Sequence, residues 1–83
     1  MTQYLILCPT LTRAQRTQKT LERSGIAASV VKAPQRLSEH GCGYAVSLYR
    51  RFEDAVNILK RNGLLQGKLY RREANGDFTE IGA

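Results

Sequence analysis

The segment LERSGI at residues 21–26 returns as LKRNGL at residues 59–64, so the chain carries a weak internal repeat with a period of 38 residues. In both copies a glycine and then an aliphatic residue follow a basic, amphipathic stretch. That order is typical of a helix C-terminus, where glycine adopts a left-handed backbone and the aliphatic residue packs back onto the last turn. The repeat therefore predicts two strand–helix–strand halves of similar length.

Each predicted half contains one amphipathic helix. The first begins at a capping Thr10 or Thr12 and ends before Gly25. Its predicted buried positions are Leu11, Ala14 and Leu21. The second helix is predicted at about residues 51–62, with buried positions at Phe52, Ala55, Val56 and Leu59.

Five short segments have the apolar runs or alternation typical of β-strands. The predicted strands span residues 3–8, 26–30, 43–49, 68–72 and 77–81. Asn75-Gly76 lies between the last two and is typical of a two-residue type I′ hairpin turn.

Two strand–helix–strand halves make a βαββαβ chain, the ferredoxin-like split arrangement. Since each half supplies one helix to cover one sheet face, the predicted fold is an α+β two-layer sandwich. The C-terminal hairpin should extend the sheet past its fourth strand. Because 83 residues provide for one hydrophobic core, residues 1–83 are predicted to form a single domain, with the fourth strand and tail hairpin at about 66–83.

The charge balance favours anionic partners. Thirteen Lys and Arg against seven Asp and Glu give a formal net charge of +6. Nucleic acid, phosphates and acidic proteins all fit such a surface, and so does a basic face that only meets solvent. No apolar stretch approaches the roughly 20 residues that a membrane span needs, and the N-terminus lacks the features of a secretory signal. We therefore expect a cytoplasmic protein with no membrane partner.

The two cysteines, Cys8 and Cys42, do not form a C-x-x-C pair, which argues against a zinc ribbon and a thioredoxin motif. Each is either a small buried apolar residue or a reactive thiol. Cys8, His40 and Cys42 together offer three metal ligands, but structural zinc takes four. We therefore predict neither a metal nor any other cofactor.

The predicted topology brings the end of the first strand and the start of the third strand to one sheet edge. Cys8 lies at the first of these positions and Cys42 at the second, and the first helix also begins there. The preceding loop, residues 34–41, adds Arg36 and His40. A helix N-terminus and nearby cations stabilise a thiolate, so the pattern predicts a lowered pKa for Cys42 and, at the apolar end of a strand, an unreactive Cys8. The alternative is that Gly41-Cys42-Gly43 is only a tight entry into the third strand, with Cys42 filling a small gap.

The loop Pro34-Gln35-Arg36-Leu37-Ser38 and the following Gly41-Cys42-Gly43-Tyr44 resemble the small bacterial family of selenium/sulfur carrier-like domains. The resemblance covers about the first 70 residues: an apolar strand, a turn, a basic helix ending in Gly-Ile, and the loop before the Cys-Gly pair. The family's cysteine maps to Cys42, its loop proline to Pro34 and its loop arginine to Arg36. Cys8 lies where no family cysteine is expected.

The resemblance implies that Cys42 is a carrier thiol that accepts sulfur or selenium as a persulfide or selenosulfide. It also implies donor and acceptor proteins as partners, without catalytic turnover by the carrier itself. Arg36, His40 and the N-terminus of the first helix would hold the anionic adduct, with Cys8, Pro34, Gly41 and Gly43 as accessory positions. Thiol exchange depends on the thiolate fraction and on access to the sulfur, which fits such a site.

Two other functions remain open from the sequence. His40-Gly41-Cys42-Gly43-Tyr44 partly matches the third-strand motif of RNA-recognition modules, with Cys42 in place of a stacking ring and Tyr4 available on the first strand. Such rings must lie on the open face of the sheet. If Tyr44 instead packs against the helices, the third strand offers no ring. The other alternative is a non-catalytic adaptor that binds a partner protein through a sheet edge.

Overall fold

The computed structural model describes residues 2–34, 37, 43–65 and 68–81, which form five strands and two helices. The elements are β1 (Tyr4–Cys8), α1 (Leu11–Arg23), β2 (Ser29–Lys32), β3 (Tyr44–Leu48), α2 (Phe52–Arg61), β4 (Leu69–Arg72) and β5 (Phe78–Ile81). The α+β class is therefore confirmed. Both helices lie within two residues of their predicted bounds.

The five strands form one antiparallel sheet in the order β2-β3-β1-β4-β5. α1 connects β1 to β2, and β3 lies between these two strands in the sheet. α2 connects β3 to β4, and β1 lies between them. Each strand–helix–strand half is thus split by a strand of the other half. β5 pairs with β4 and forms one edge of the sheet.

The hydrophobic core lies between the sheet and both helices. Alternate residues of the two central strands point into it: Tyr4, Ile6 and Cys8 from β1, and Tyr44, Val46 and Leu48 from β3. From α2 it receives Ala55, Val56 and Leu59, as predicted. From α1 it receives Ala14, Thr17 and Leu21. The prediction for Leu11 was wrong: this residue is 42% exposed, because it begins the helix and Thr17 occupies the middle of the buried face instead.

Both helices end in the same hydrogen-bonded motif, as the repeat predicts. In α1 the amides of Ile26 and Gly25 donate to the carbonyl oxygens of Leu21 and Glu22, each at 2.9 Å. In α2 the corresponding bonds run from Leu64 to Leu59 and from Gly63 to Lys60. These paired bonds define the Schellman motif, which requires a left-handed residue. Gly25 and Gly63 supply it, with φ of 81° and 67°.

Two local predictions need correction. The second strand runs from Ser29 to Lys32 rather than over 26–30, because Ile26 is used by the helix cap and pairing with β3 starts later. The hairpin turn is not type I′, which needs positive φ at two residues. Gly76, with φ 91°, is left-handed while Asn75 is not, and the Gly76 amide donates to the Glu73 carbonyl oxygen at 3.0 Å. The loop is therefore a three-residue turn with a glycine bulge.

Replacing either cap glycine by alanine should lower the free energy of unfolding by about 1 kcal/mol. Within the described part of the chain, and apart from its chain neighbours, a Cβ would meet no atom within 4 Å at Gly63 and would make an ordinary 3.7 Å contact at Gly25, so the cost comes from the left-handed backbone rather than from crowding. Urea denaturation measures it. Gly63→Asn is the matched control, since asparagine tolerates this conformation and should cost less. Neutral Gly→Ala results at both positions would contradict the assigned helix ends.

Candidate functional site

The structure describes some of the predicted site residues. Cys8, Pro34 and Gly43 lie within the described ranges, whereas Arg36, His40, Gly41 and Cys42 lie outside them. The structure does describe the elements before and after the segment that contains Cys42, which are β2 and β3.

The end of β1, the end of β2 and the start of β3 meet at one edge of the sheet. Cys8 of β1 and Lys32 of β2 both pair with Tyr44 of β3. The amide of Ala33 donates to the carbonyl oxygen of Gly43 at 3.1 Å. α1 starts three residues after Cys8. We call this region, formed by Cys8, Lys32, Gly43, Tyr44 and the start of α1, the cysteine edge.

The N-terminus of α1 is electropositive. Thr10 caps the helix, and its hydroxyl oxygen accepts a hydrogen bond from the amide of Arg13 at 3.2 Å. The first turn contains no acidic residue. Its third position is held by Arg13, where glutamate would complete a capping box. The helix's own first turn therefore does not neutralise the partial positive charge of the helix end, and it places a cation beside it.

α2 has the opposite arrangement. Its first turn contains Glu53 and Asp54, and its last turn contains Lys60 and Arg61. This distribution complements the helix dipole at both ends. The absence of acid from the start of α1 is therefore a property of that helix and not of the repeat.

Sequence reasoning missed two cations at the cysteine edge. Arg13 could have been found, because an arginine three residues after a capping threonine breaks the capping-box pattern. Lys32 could not have been found from the sequence, because the second strand was expected to end at Val30. The pairing of Lys32 with Tyr44 depends on the register of β2 against β3.

Cys8 is a free thiol, only 6% exposed, at the end of β1. Its sulfur donates a weak hydrogen bond to the carbonyl oxygen of Ile6 at 3.7 Å. Burial raises the pKa of Cys8 above its ordinary value, while a hydrogen bond with Thr17 and the charge of Arg13 act weakly in the other direction. The low reactivity predicted for Cys8 stays a prediction, and its burial is in keeping with it. A neutral, buried thiol of this kind packs rather than reacts.

The raised pKa of Cys8 should make the protein less stable at alkaline pH. In the unfolded chain the thiol loses its proton near pH 8.5, whereas the folded state keeps it to higher pH. The stability that Cys8 contributes is thus fully present below about pH 8.5 and falls by up to about 1.4 kcal/mol per pH unit above it. Urea denaturation of wild type and Cys8→Ala at pH 7 and 9.5 measures the effect. A difference between the two proteins that does not change with pH would contradict it.

A family model described as "Putative Se/S carrier protein-like" matches residues 3–71. The chain belongs to this family. The match spans both helices, the first three strands and most of β4, and it includes the position of Cys42. Neither the curated proteins nor the solved structures contain a match to the chain.

The two rings that an RNA-recognition function would use in this carrier-like domain point into the core. Tyr4 stacks on Phe52 with ring centroids 4.2 Å apart, and Tyr44 packs against the core cluster. The opposite face of β1 and β3 carries Leu5, Leu7, Ala45 and Ser47. Base stacking on these two strands therefore has no aromatic platform.

Neither described helix of this family member is long and apolar enough to cross a membrane. In the described part of the chain, no three His, Cys, Asp or Glu side chains lie close enough to share a metal ion.

Proposed function

We propose that this protein is a sulfur or selenium carrier that holds its cargo on Cys42 as a persulfide or selenosulfide and passes it to a partner protein. Membership of the carrier-like family supports the proposal, since the matched residues include Cys42. The structural observation that carries it is the acid-free, cationic start of α1 at the cysteine edge. Gly43, the sequence neighbour of Cys42, belongs to this edge.

The proposed transfer is a balanced exchange between thiolates. The Cys42 thiolate attacks the outer sulfur of a donor persulfide, R–S–SH. A bond forms between the two sulfurs, the donor's S–S bond breaks, and the donor leaves as a thiolate. A donor selenosulfide, R–S–SeH, transfers selenium in the same way. An acceptor thiolate then attacks the outer atom and releases the Cys42 thiolate, so no external oxidant is needed.

The chain's own residues would bind and orient the anionic adduct. The N–H groups of the first turn of α1 have no partner within the helix, although that of Arg13 donates to the Thr10 cap, and Arg13 adds positive charge beside them. Lys32 adds a second cation from β2. Arg36 and His40 join them in the proposal through the family resemblance. The carrier has no turnover of its own, because each step requires a donor or an acceptor protein.

The fold class and the compartment are part of the proposal. We assign the split βαββαβ sheet to the ferredoxin-like class, with the β4–β5 hairpin as its extension. Because thiolates must persist between transfers, the proposed setting is the reducing cytoplasm.

Mass spectrometry of the intact protein from cells tests the function. A mass increment of one sulfur or selenium atom should be present, should be lost on reduction, and should be absent from Cys42→Ser. Cys8→Ala is the matched control and should keep the increment, because Cys8 is buried and neutral. An increment that stays in Cys42→Ser, or is absent from wild type grown with abundant sulfur and selenium, would overturn the proposal.

A further inference from the structure

Positive charge is concentrated in the first part of the chain. Residues 2–34 contain five Lys or Arg and one acidic residue, Glu22. These residues therefore carry +4 of the formal net charge of +6. The later elements are more balanced and contain ion pairs, such as Arg51 with Asp54 at 3.1 Å and Arg71 with Glu73 at 3.0 Å.

Three of the early cations form one line along the outer face of α1. Arg16, Lys19 and Arg23 are spaced by three and four residues, opposite the buried face of the helix, and all three are exposed. Thr12 continues the line to the start of the helix. Among the described residues, none of the three cations forms an ion pair. We call Arg16, Lys19 and Arg23 the basic stripe.

We propose that the basic stripe is the docking surface for an acidic helix face on the donor or acceptor protein. This inference rests on the proposed carrier function and names the chemistry of its partner. From Thr12 to Arg23 the line is about 16 Å long, at 1.5 Å of rise per residue. On an antiparallel partner helix, carboxylates at positions i, i+4 and i+7 would face the three cations in turn, with opposite charge.

The surroundings of the stripe favour a protein over nucleic acid or membrane. The other side chains around the stripe, Thr12, Gln15 and Thr20, include no aromatic ring on which a base could stack. The apolar face of α1 is buried in the core, so the helix has none to insert into a bilayer. Leu11, one turn before Gln15 and 42% exposed, gives a protein partner an apolar contact.

The direction of the basic stripe suits the proposed transfer of sulfur or selenium between two thiols. α1 runs from the cysteine edge, so the stripe begins about one turn from that edge and leads away from it. A partner helix that lies along the stripe would hold the rest of the partner protein near the cysteine edge. Binding energy from charges that take no part in the chemistry would thus place the two thiols close together.

The test uses a helical peptide of about 20 residues with glutamates along one face, and a second peptide of the same composition with the glutamates scattered around the helix. Affinity for the full chain is measured at low ionic strength, where exposed charges are least screened. The stripe variant is Arg16→Gln with Lys19→Gln and Arg23→Gln. The matched control neutralises three exposed cations elsewhere: Arg50→Gln with Lys60→Gln and Arg61→Gln.

The patterned peptide should bind about tenfold or more tightly than the scattered one, and the stripe variant should lose that advantage while the control keeps it. Equal binding of the two peptides, or equal loss in both variants, would overturn the docking site. So would binding that occurs only with a single-stranded RNA or with phosphatidylglycerol vesicles. Alkylation of Cys42 in the same variants tests the carrier function separately. If Cys42 is reactive but the peptide does not bind, the docking site is wrong and the carrier function is not affected. If the peptide binds but Cys42 is inert, the carrier function is wrong and the docking site is not affected.

Discussion

At pH 7, iodoacetamide should alkylate Cys42 in the native protein at least about 100-fold faster than Cys8. Cys8 is 6% exposed and its pKa is raised by burial, so it reacts only when the structure opens. If local opening of the structure costs about 2.7 kcal/mol, Cys8 is exposed roughly 1% of the time. In the closed structure, its raised pKa also keeps the thiolate fraction low. Mass spectrometry of the two cysteine-containing peptides after timed quenching measures both rates in one sample.

Cys42 should also react faster than a cysteine in a free peptide. If the cysteine edge lowers its pKa by about one unit, its thiolate fraction at pH 7 rises about tenfold, while the lower basicity reduces nucleophilicity about threefold. The net gain is therefore about threefold, and Arg36→Ala should remove part of it. Equal reactivity of the two cysteines, or a Cys42 slower than the free peptide, would make Cys42 a packing residue and would leave a binding module as the function.

The features that could be predicted from the sequence are those encoded by neighbouring residues. The cap glycines, Gly25 and Gly63, need a left-handed backbone whatever surrounds them, so the repeat located both helix ends. The amphipathic spacing of α2 likewise identified its buried positions. From these elements the pairing of β1 with β3 followed, and with it the position of Cys8 opposite the start of β3.

The features that could not be predicted depend on tertiary contacts. Thr17 is buried and Leu11 is exposed, because the end of a helix can project past the sheet that covers its middle. Residue polarity alone predicts the reverse. Lys32 joins the cysteine edge only through its register with Tyr44. The turn at Asn75-Gly76 has a bulge because Glu73, rather than Ala74, closes the loop with Asp77.

The two helices differ in how the charges of their first turns suit the helix dipole. α2 has acids at its start and bases at its end, the arrangement that stabilises a helix. α1 has a capping threonine and no acid, with Arg13 at the position where glutamate would help most. Local rules broken without a packing reason tend to mark functional sites. Here the broken rule leaves positive charge at the cysteine edge, to which Gly43 belongs.

Arg13→Glu should therefore stabilise the protein and weaken its carrier thiol. Glutamate completes a capping box with Thr10 and interacts favourably with the helix dipole, which should raise the free energy of unfolding by roughly 1 kcal/mol. The same change replaces a cation by an anion at the cysteine edge and should slow Cys42 alkylation at pH 7 about threefold to tenfold.

Arg16→Glu is the matched control for Arg13→Glu, because it makes the same change in net charge one turn further along α1 without creating a capping box. It should leave stability nearly unchanged and slow Cys42 less. Urea denaturation and timed alkylation on the three proteins measure both effects. If the two variants slow Cys42 equally, Arg13 acts through net charge alone. If Arg13→Glu stabilises the helix and leaves Cys42 as fast as in wild type, the positive start of α1 does not act on the carrier thiol, and the cationic first turn has no role in the proposed chemistry.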